Sequence, residues 1–253
     1  MASPILRPLS LGEVLDVSFS LYRNAFGPLL VIAIVTGGIP QILSVYIEAS
    51  GGPLENPLFW LTTMLLSLVL GTIGVGATTF IISERYLGRS LPAGAAFGRA
   101  TPYFGRLLVL SVLAGLAVML GTLFLIVPGL IIASGILLAV PALVLEALPH
   151  GSRALSRSWE LTRGLRAKGF LTVCVAILLL VIPTMAIGFI AAMFGGAAAE
   201  QGETPPAFAA VAVLLSTIIS PYVYVVITVL YYDARVRKEA FDLEMLAAEM
   251  QQD

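Results

Sequence analysis

Between Arg106 and Glu146 the chain carries no Asp, Glu, Lys or Arg. Such a run belongs in lipid, because about 20 apolar residues at 1.5 Å rise already cross the ~30 Å hydrocarbon core of a bilayer. Drawn as one helix it would be about 60 Å long and would carry the next basic cluster, Arg153 to Lys168, to the opposite side. A tight hairpin at Val127, Pro128 and Gly129 gives two spans instead and returns that cluster to the side it left. The same length rule gives six spans, at about 25–46, 58–82, 107–126, 129–146, 170–194 and 208–231. Helices are the only element available, since open strands leave backbone groups unpaired in lipid. The expected fold is all-α: a polytopic membrane protein with six transmembrane helices and amphipathic interfacial helices between span pairs. All 253 residues form one membrane domain, with a charged tail over 233–253.

This arrangement sorts the charges. All fourteen Lys and Arg fall on one side, and the two longest connections on the other side carry only acids, Glu48 and Glu55 in one, Glu200 and Glu203 in the other. Basic residues beside short connections resist translocation, so the basic side is expected to be cytoplasmic, with both termini there, in a cell-membrane protein. The bases hug the membrane edges and form no separate basic domain, which argues against a nucleic-acid partner. Glu13 and Asp16 interrupt the place where the apolar core of a signal peptide would lie, so the first span is expected to stay. The single Cys174 lies within a span and reads as a small packing residue.

Three segments on the basic side are amphipathic. Ser10 to Arg23 opens with a capping box, Ser10 with Glu13, and continues with Leu11, Val14, Leu15, Ser18 and Leu21 at helical spacing. The connection from Glu84 to Arg106 carries Arg85, Arg89, Arg99 and Arg106. From His150 to Lys168, Ala154, Leu155, Ser158, Trp159, Leu161, Thr162 and Leu165 share one broad face and Arg153, Arg157, Glu160 and Arg163 the other, the pattern of a helix lying in the interface with its Trp at headgroup level. Each segment ends in Gly beside an aromatic (Phe26-Gly27, Phe104-Gly105, Gly169-Phe170) and leads into a span pair, which suggests three copies of one unit. Gly71, Gly74 and Gly76 in the second span are candidates for close helix approach.

Chemistry is harder to find. Ionisable residues at mid-depth would mark a functional site, but Glu48, Glu146 and Asp233 all fall at span ends, where a carboxylate is expected to reach water. His150 is the only histidine, so a multi-His metal site is excluded within one chain, and no Gly-rich phosphate loop or hydrolase motif is present. No catalytic residue and no cofactor is expected. Arg153, Arg157, Arg163, Arg166 and Lys168 are candidates for contact with anionic lipid, each base worth about 1 kcal/mol near a negative surface. Arg235, Arg237, Lys238 and Phe241 are candidates for contact with a protein partner at the cytoplasmic face.

Ala154-Leu-Ser-Arg-Ser-Trp-Glu-Leu-Thr-Arg-Gly164 and Tyr231-Tyr-Asp-Ala-Arg-Val-Arg-Lys-Glu-Ala-Phe-Asp-Leu-Glu-Met245, with Leu9-Ser-Leu-Gly-Glu-Val-Leu-Asp, Leu21-Tyr-Arg23 and Ile126-Val-Pro-Gly129, resemble the glycerophosphoryl diester phosphodiesterase membrane-domain family along essentially the whole chain. Ala167, where relatives often show an aromatic, and Ala240, in place of a common Gly, depart from it. The resemblance implies a six-span membrane domain, sometimes joined to a soluble domain that performs the hydrolysis. No such catalytic domain is read in these residues, so phosphodiesterase activity is not expected.

The leading expectation is a non-enzymatic scaffold or accessory subunit in lipid-related or envelope processes. A rival is a transporter or lipid translocator using the spans broken at Pro40, Pro141, Pro183 and Pro221, for which Ser220, Tyr222, Tyr224 and Thr228 should line a continuous cavity. A third is an enzyme acting on a lipid headgroup, which would need Glu84, Glu146 and Glu160 to converge.

Overall fold

The computed structural model describes residues 7–194 and 206–239. They are all-α, and six helical segments are long and apolar enough to cross a membrane: Phe26–Glu48, Pro57–Tyr86, Ala93–Phe124, Ile126–Leu145, Arg166–Ile190 and Ala210–Glu239. Phe241 and the remainder of the charged tail lie outside the described residues, as does the loop bearing Glu200 and Glu203.

Helix α1 (Leu11–Asn24) starts where its capping box predicts. The Ser10 hydroxyl accepts from the Glu13 N–H at 3.3 Å, and the Glu13 carboxylate accepts from the Ser10 N–H at 2.7 Å, which satisfies two of the donors a helix start leaves orphaned. The first span is α2 (Phe26–Ala33), a π-helical turn (Ile34–Gly38) and α3 (Ile39–Ala49). The break expected near Gly37, Gly38 and Pro40 is thus a local widening. Pro40 has no N–H for the Thr36 carbonyl, and a π turn re-routes the ladder without stopping the helix. Helix α4 (Pro57–Tyr86) follows as one long second span. Of its three candidate glycines, Gly74 and Gly76 are sites of close approach: a Cβ at Gly74 would stand 2.7 Å from the Thr36 methyl, and one at Gly76 3.1 Å from Leu107.

After α5 (Ala93–Ala100) and a single 3-10 turn, α6 (Phe104–Phe124) and α7 (Ile126–Gly135) form an antiparallel hairpin. The reversal falls at Leu125, extended at φ −165° and ψ 150°, two residues before the turn expected at Val127, Pro128 and Gly129. Proline in the first turn of a helix loses nothing, since its N–H would be orphaned there anyway, so Pro128 belongs to α7 and not to the turn. Gly121 and Gly129 let the two helices meet: a Cβ on Gly129 would sit 2.9 Å from the Thr122 backbone nitrogen. Leu123 and Phe124, 79% and 80% exposed at this tip, are suited to lipid and to nothing aqueous.

The fourth span is interrupted before α8 (Ala139–Leu145), and Pro141 lies in the first turn of that helix, so the interruption is at residues 136–138. Helix α9 (Gly151–Thr162) repairs it. The Ser158 hydroxyl accepts from the Leu138 N–H at 3.0 Å and donates to the Gly135 carbonyl at 2.9 Å, and the Thr162 hydroxyl reaches the same carbonyl at 3.0 Å. The apolar face expected on α9 is covered by protein: Ala154, Ser158, Leu161 and Thr162 are buried, and the Trp159 ring lies so close to Gly135 that a Cβ there would stand 2.2 Å from it. Gly151 touches the backbone of α6, with a Cβ position 2.8 Å from the Leu110 nitrogen.

The last pair is α10 (Arg166–Phe194), continuous through Pro183, followed by α11 (Pro206–Ile219) and α12 (Pro221–Glu239), which part at Ser220. An amphipathic helix therefore precedes each span pair: α1, α5 and α9. The core gathers around α12, where Tyr222, Val225, Val226, Val229 and Tyr231 are buried with Leu29, Ile81, Leu138 and Leu161.

Candidate functional site

Two polar regions stand out. One is the end of the bundle where the basic segments meet. Asp233, expected to reach water, is 2% exposed. Its carboxylate accepts from the Leu9 N–H at 2.7 Å, from the Lys168 ammonium at 2.5 Å and from the Arg237 guanidinium at 3.1 Å. The two cations in turn donate to the Leu9 carbonyl, at 2.6 and 2.7 Å. One acid thereby ties the N-terminal segment to the start of α10 and the end of α12. Burial is tolerable because every oxygen is met by a donor and the charge is answered twice.

Beside it, Glu146 is held by the Arg157 Nε at 3.0 and 2.8 Å and by the Tyr231 hydroxyl at 3.0 Å. Arg157 also reaches Glu239 at 2.5 Å, and Glu239 pairs with Arg235 at 2.9 Å. Burial alone would lower the Arg157 pKa, but hydrogen bonds to Glu146 and Glu239 outweigh it and hold the guanidinium above its ordinary range. Around the same end, Glu84 pairs with Arg99 at 2.7 Å and with Arg89, the Ser83 and Tyr232 hydroxyls meet at 2.6 Å, and Arg106 donates to the Leu148 carbonyl at 3.0 Å.

The sequence-derived sites divide accordingly. Arg157 and Lys168 are committed to internal carboxylates. Arg166 lies over the Trp159 ring, 3.8 Å from its centroid. Arg153 and Arg163 are exposed and have no ion-pair partner among the described residues. Arg235 and Arg237 are paired within the chain, and Lys238 donates to the Glu160 carbonyl at 2.5 Å. Glu84, Glu146 and Glu160 do not converge, since the first two are held by separate bases and Glu160 is exposed. No cluster among the described residues could hold a metal ion.

The second region is a cavity of about 350 Å³ between the first, second and sixth spans, lined by the hydroxyls of Thr36, Ser44, Ser67, Ser216, Thr217 and Ser220 with the Gln41 amide. It sits against the π turn and the α11–α12 break, about 20 Å along α12 from Asp233 at 1.5 Å per residue. The expected cavity residues are split. Ser220 lines it, whereas Tyr222 and Thr228 are buried, with hydroxyls donated to the carbonyls of Leu15 at 3.1 Å and Tyr224 at 2.8 Å. The other lining residues went unread as a site. Their signal was present as hydroxyls bunched beside the prolines of spans one and six.

Neither known family models, nor curated proteins, nor solved structures match this chain. Its six apolar helices make it an integral membrane protein, and its further assignment rests on the two regions just described.

Proposed function

We propose that this is a non-enzymatic protein of the cell membrane with both termini cytoplasmic, a scaffold or accessory subunit in lipid-related or envelope processes. The observation that carries the reading is the use of charge at the basic end. Glu84, Glu146, Asp233 and Glu239 are each bonded to bases of the same chain, which spends them on rigidity and not on proton transfer or metal binding. Arg153 on α9 and Arg163 at its C-terminal cap are left outward, beside the exposed Glu160, on a helix immobilised against α6 and α8. A rigid face with exposed arginines suits docking to an acidic protein surface or to anionic headgroups. Of the motifs that resemble glycerophosphoryl diester phosphodiesterase membrane domains, residues 9–16, 154–164 and 231–239 fall at this end, in keeping with a structural role for them, while Ile126-Val-Pro-Gly129 lies at the α6–α7 hairpin tip.

The test is cross-linking and purification of the intact protein beside an Arg153→Glu/Arg163→Glu variant. A stoichiometric protein partner recovered with the native chain and lost with the correctly folded variant is the expected result. Bulk lipid alone with both would sink the scaffold reading. Orientation is checked separately in a Cys174→Ala background: an impermeant thiol reagent should label Leu54→Cys on intact cells and leave Ser156→Cys unlabelled, and the reverse pattern would invert the topology.

The cavity favours one second reading, a carrier. Against a through-path stands the packed half of the bundle between the cavity and Asp233, where Tyr222, Val225, Val226 and Val229 are buried. Flux of polar solutes across proteoliposomes would decide between the two.

A further inference from the structure

A hydroxyl-lined space in the uncharged half of a membrane protein is costly unless a polar occupant fills it, because lipid offers no hydrogen bonds. The lining of this cavity specifies the occupant. Thr36, Ser44 and Ser67 give their hydroxyl protons to the carbonyls of Ile32, Pro40 and Thr63 at 2.9, 3.0 and 2.8 Å, so their oxygens remain as acceptors. Ser216 meets the Gln41 amide at 3.0 Å, and that amide keeps donor capacity beyond this bond. Thr217 is 8% exposed beside the cavity, and its hydroxyl oxygen is itself buried, next to Gly38, with no hydrogen-bond partner among the described residues.

The site therefore presents donors and acceptors together and contains no charged lining residue. With no charge in the lining to answer it, an ionised phosphate or carboxylate or a metal ion is a poorer match than a neutral group. The lining matches a group whose every polar atom both gives and accepts a hydrogen bond. At about 30 Å³ per water the volume equals roughly ten waters, well beyond what a single buried water needs. Ile42 and Val45 on α3 and Leu214 on α11 are exposed, so apolar surface suited to acyl chains flanks the polar lining.

We propose that this cavity is a binding site for a neutral polyhydroxyl group, a sugar or polyol carried as the headgroup of an uncharged lipid or free in solution. The inference requires occupancy and not passage, so it stands or falls apart from the scaffold and carrier readings.

Native mass spectrometry of the full chain in phosphatidylcholine nanodiscs tests it, with monoglucosyl diacylglycerol as the lipid probe, glucose as the free probe and phosphatidylglycerol as the charged competitor. The glucosyl lipid should be retained at least tenfold over phosphatidylcholine and phosphatidylglycerol, or glucose should bind at one site; which probe binds identifies the source. Thr217→Val/Ser220→Ala should lower binding at least tenfold with a thermal midpoint no lower than that of the native chain, since the Thr217 hydroxyl has no partner among the described residues to lose. Ser44→Leu, which fills the space, should do the same, while Ser156→Ala at the basic end keeps full binding. Retention of neither probe above phosphatidylcholine, preference for phosphatidylglycerol, or equal binding by native chain and both cavity variants would overturn the proposal.

Discussion

At the basic end, Asp233 receives three donors and each cation around it also has a backbone carbonyl to bond; around Ser220 the polar groups are neutral, and one of them, the Thr217 hydroxyl, is buried with no hydrogen-bond partner among the described residues. Both regions put polar atoms inside an apolar chain. The first is closed upon itself: charges answer charges, and the gain is a fixed arrangement of α1, α9, α10 and α12. The second is unfinished within the protein and uses only neutral groups, whose desolvation is cheaper than that of ions. A region saturated by its own bonds holds the fold, and a region with unspent hydrogen bonds is where a ligand adds something.

Substitutions should feel this difference. The largest loss is expected for Asp233→Ala, which strands Lys168 and Arg237 and frees the Leu9 backbone. Removing one partner of a buried pair costs about 3–5 kcal/mol, readable as a fall in the unfolding midpoint in nanodiscs. A loss below about 1 kcal/mol would mean that the basic end is no lock. Next comes Gly151→Ala, whose methyl would meet the α6 backbone, which cannot swing aside as a side chain could. The expected destabilisation is about 1–3 kcal/mol, and a neutral result would show that α9 is not seated as tightly as the contact implies.

Thr217→Val should reverse the sign. With no ligand added it should leave stability unchanged or raise it by about 1 kcal/mol, because a buried hydroxyl without a partner is a liability. A marked loss would show that the cavity is closed after all and that the comparison fails. The smallest effect is electrostatic. Backbone hydrogen bonding from Ser10, with help from Arg7, holds the Glu13 pKa down to about 2. A depressed carboxylate contributes stability that is present above its unfolded value near 4.5 and disappears as pH falls through about 2. Glu13→Gln should erase that pH dependence at the start of α1 in a hydrogen-exchange titration, and its persistence would assign the effect to another acid.

Much of this architecture could be read from sequence because lipid leaves so few options. Uncharged runs had to be helices, their length set their number, and the capping box at Ser10 fixed a helix start to the residue. The reversal near Pro128 was misplaced by two residues because proline marks a first helical turn as readily as a loop. The face of α9 is legible in the sequence, but what covers it is not: an apolar stripe looks the same whether lipid or protein lies against it, and only Gly135 and Gly151, bare enough for close packing, point to protein. Asp233 was hidden for a related reason. Its partners are Lys168 and a backbone amide at Leu9, far away in sequence, and only Arg237, one turn on, was visible locally. The cavity was half legible through Ser220, while the π turn that shapes its other wall depends on how Pro40 meets Gly37 and Gly38 in three dimensions.

The bond between Leu9 and Asp233 joins residues 224 positions apart. A ribosome adding about 5–20 residues per second needs roughly 10–45 s to travel that distance. For all of that time the Leu9 amide has no acceptor, although Lys168 is already there for the Leu9 carbonyl, and every span but the last has been made before the acid appears that fastens them. Assembly in the membrane therefore finishes with a latch delivered late. A chain interrupted before Asp233 would keep its first five spans but leave the Lys168 charge and the Leu9 amide unanswered, a seam left open along the bundle.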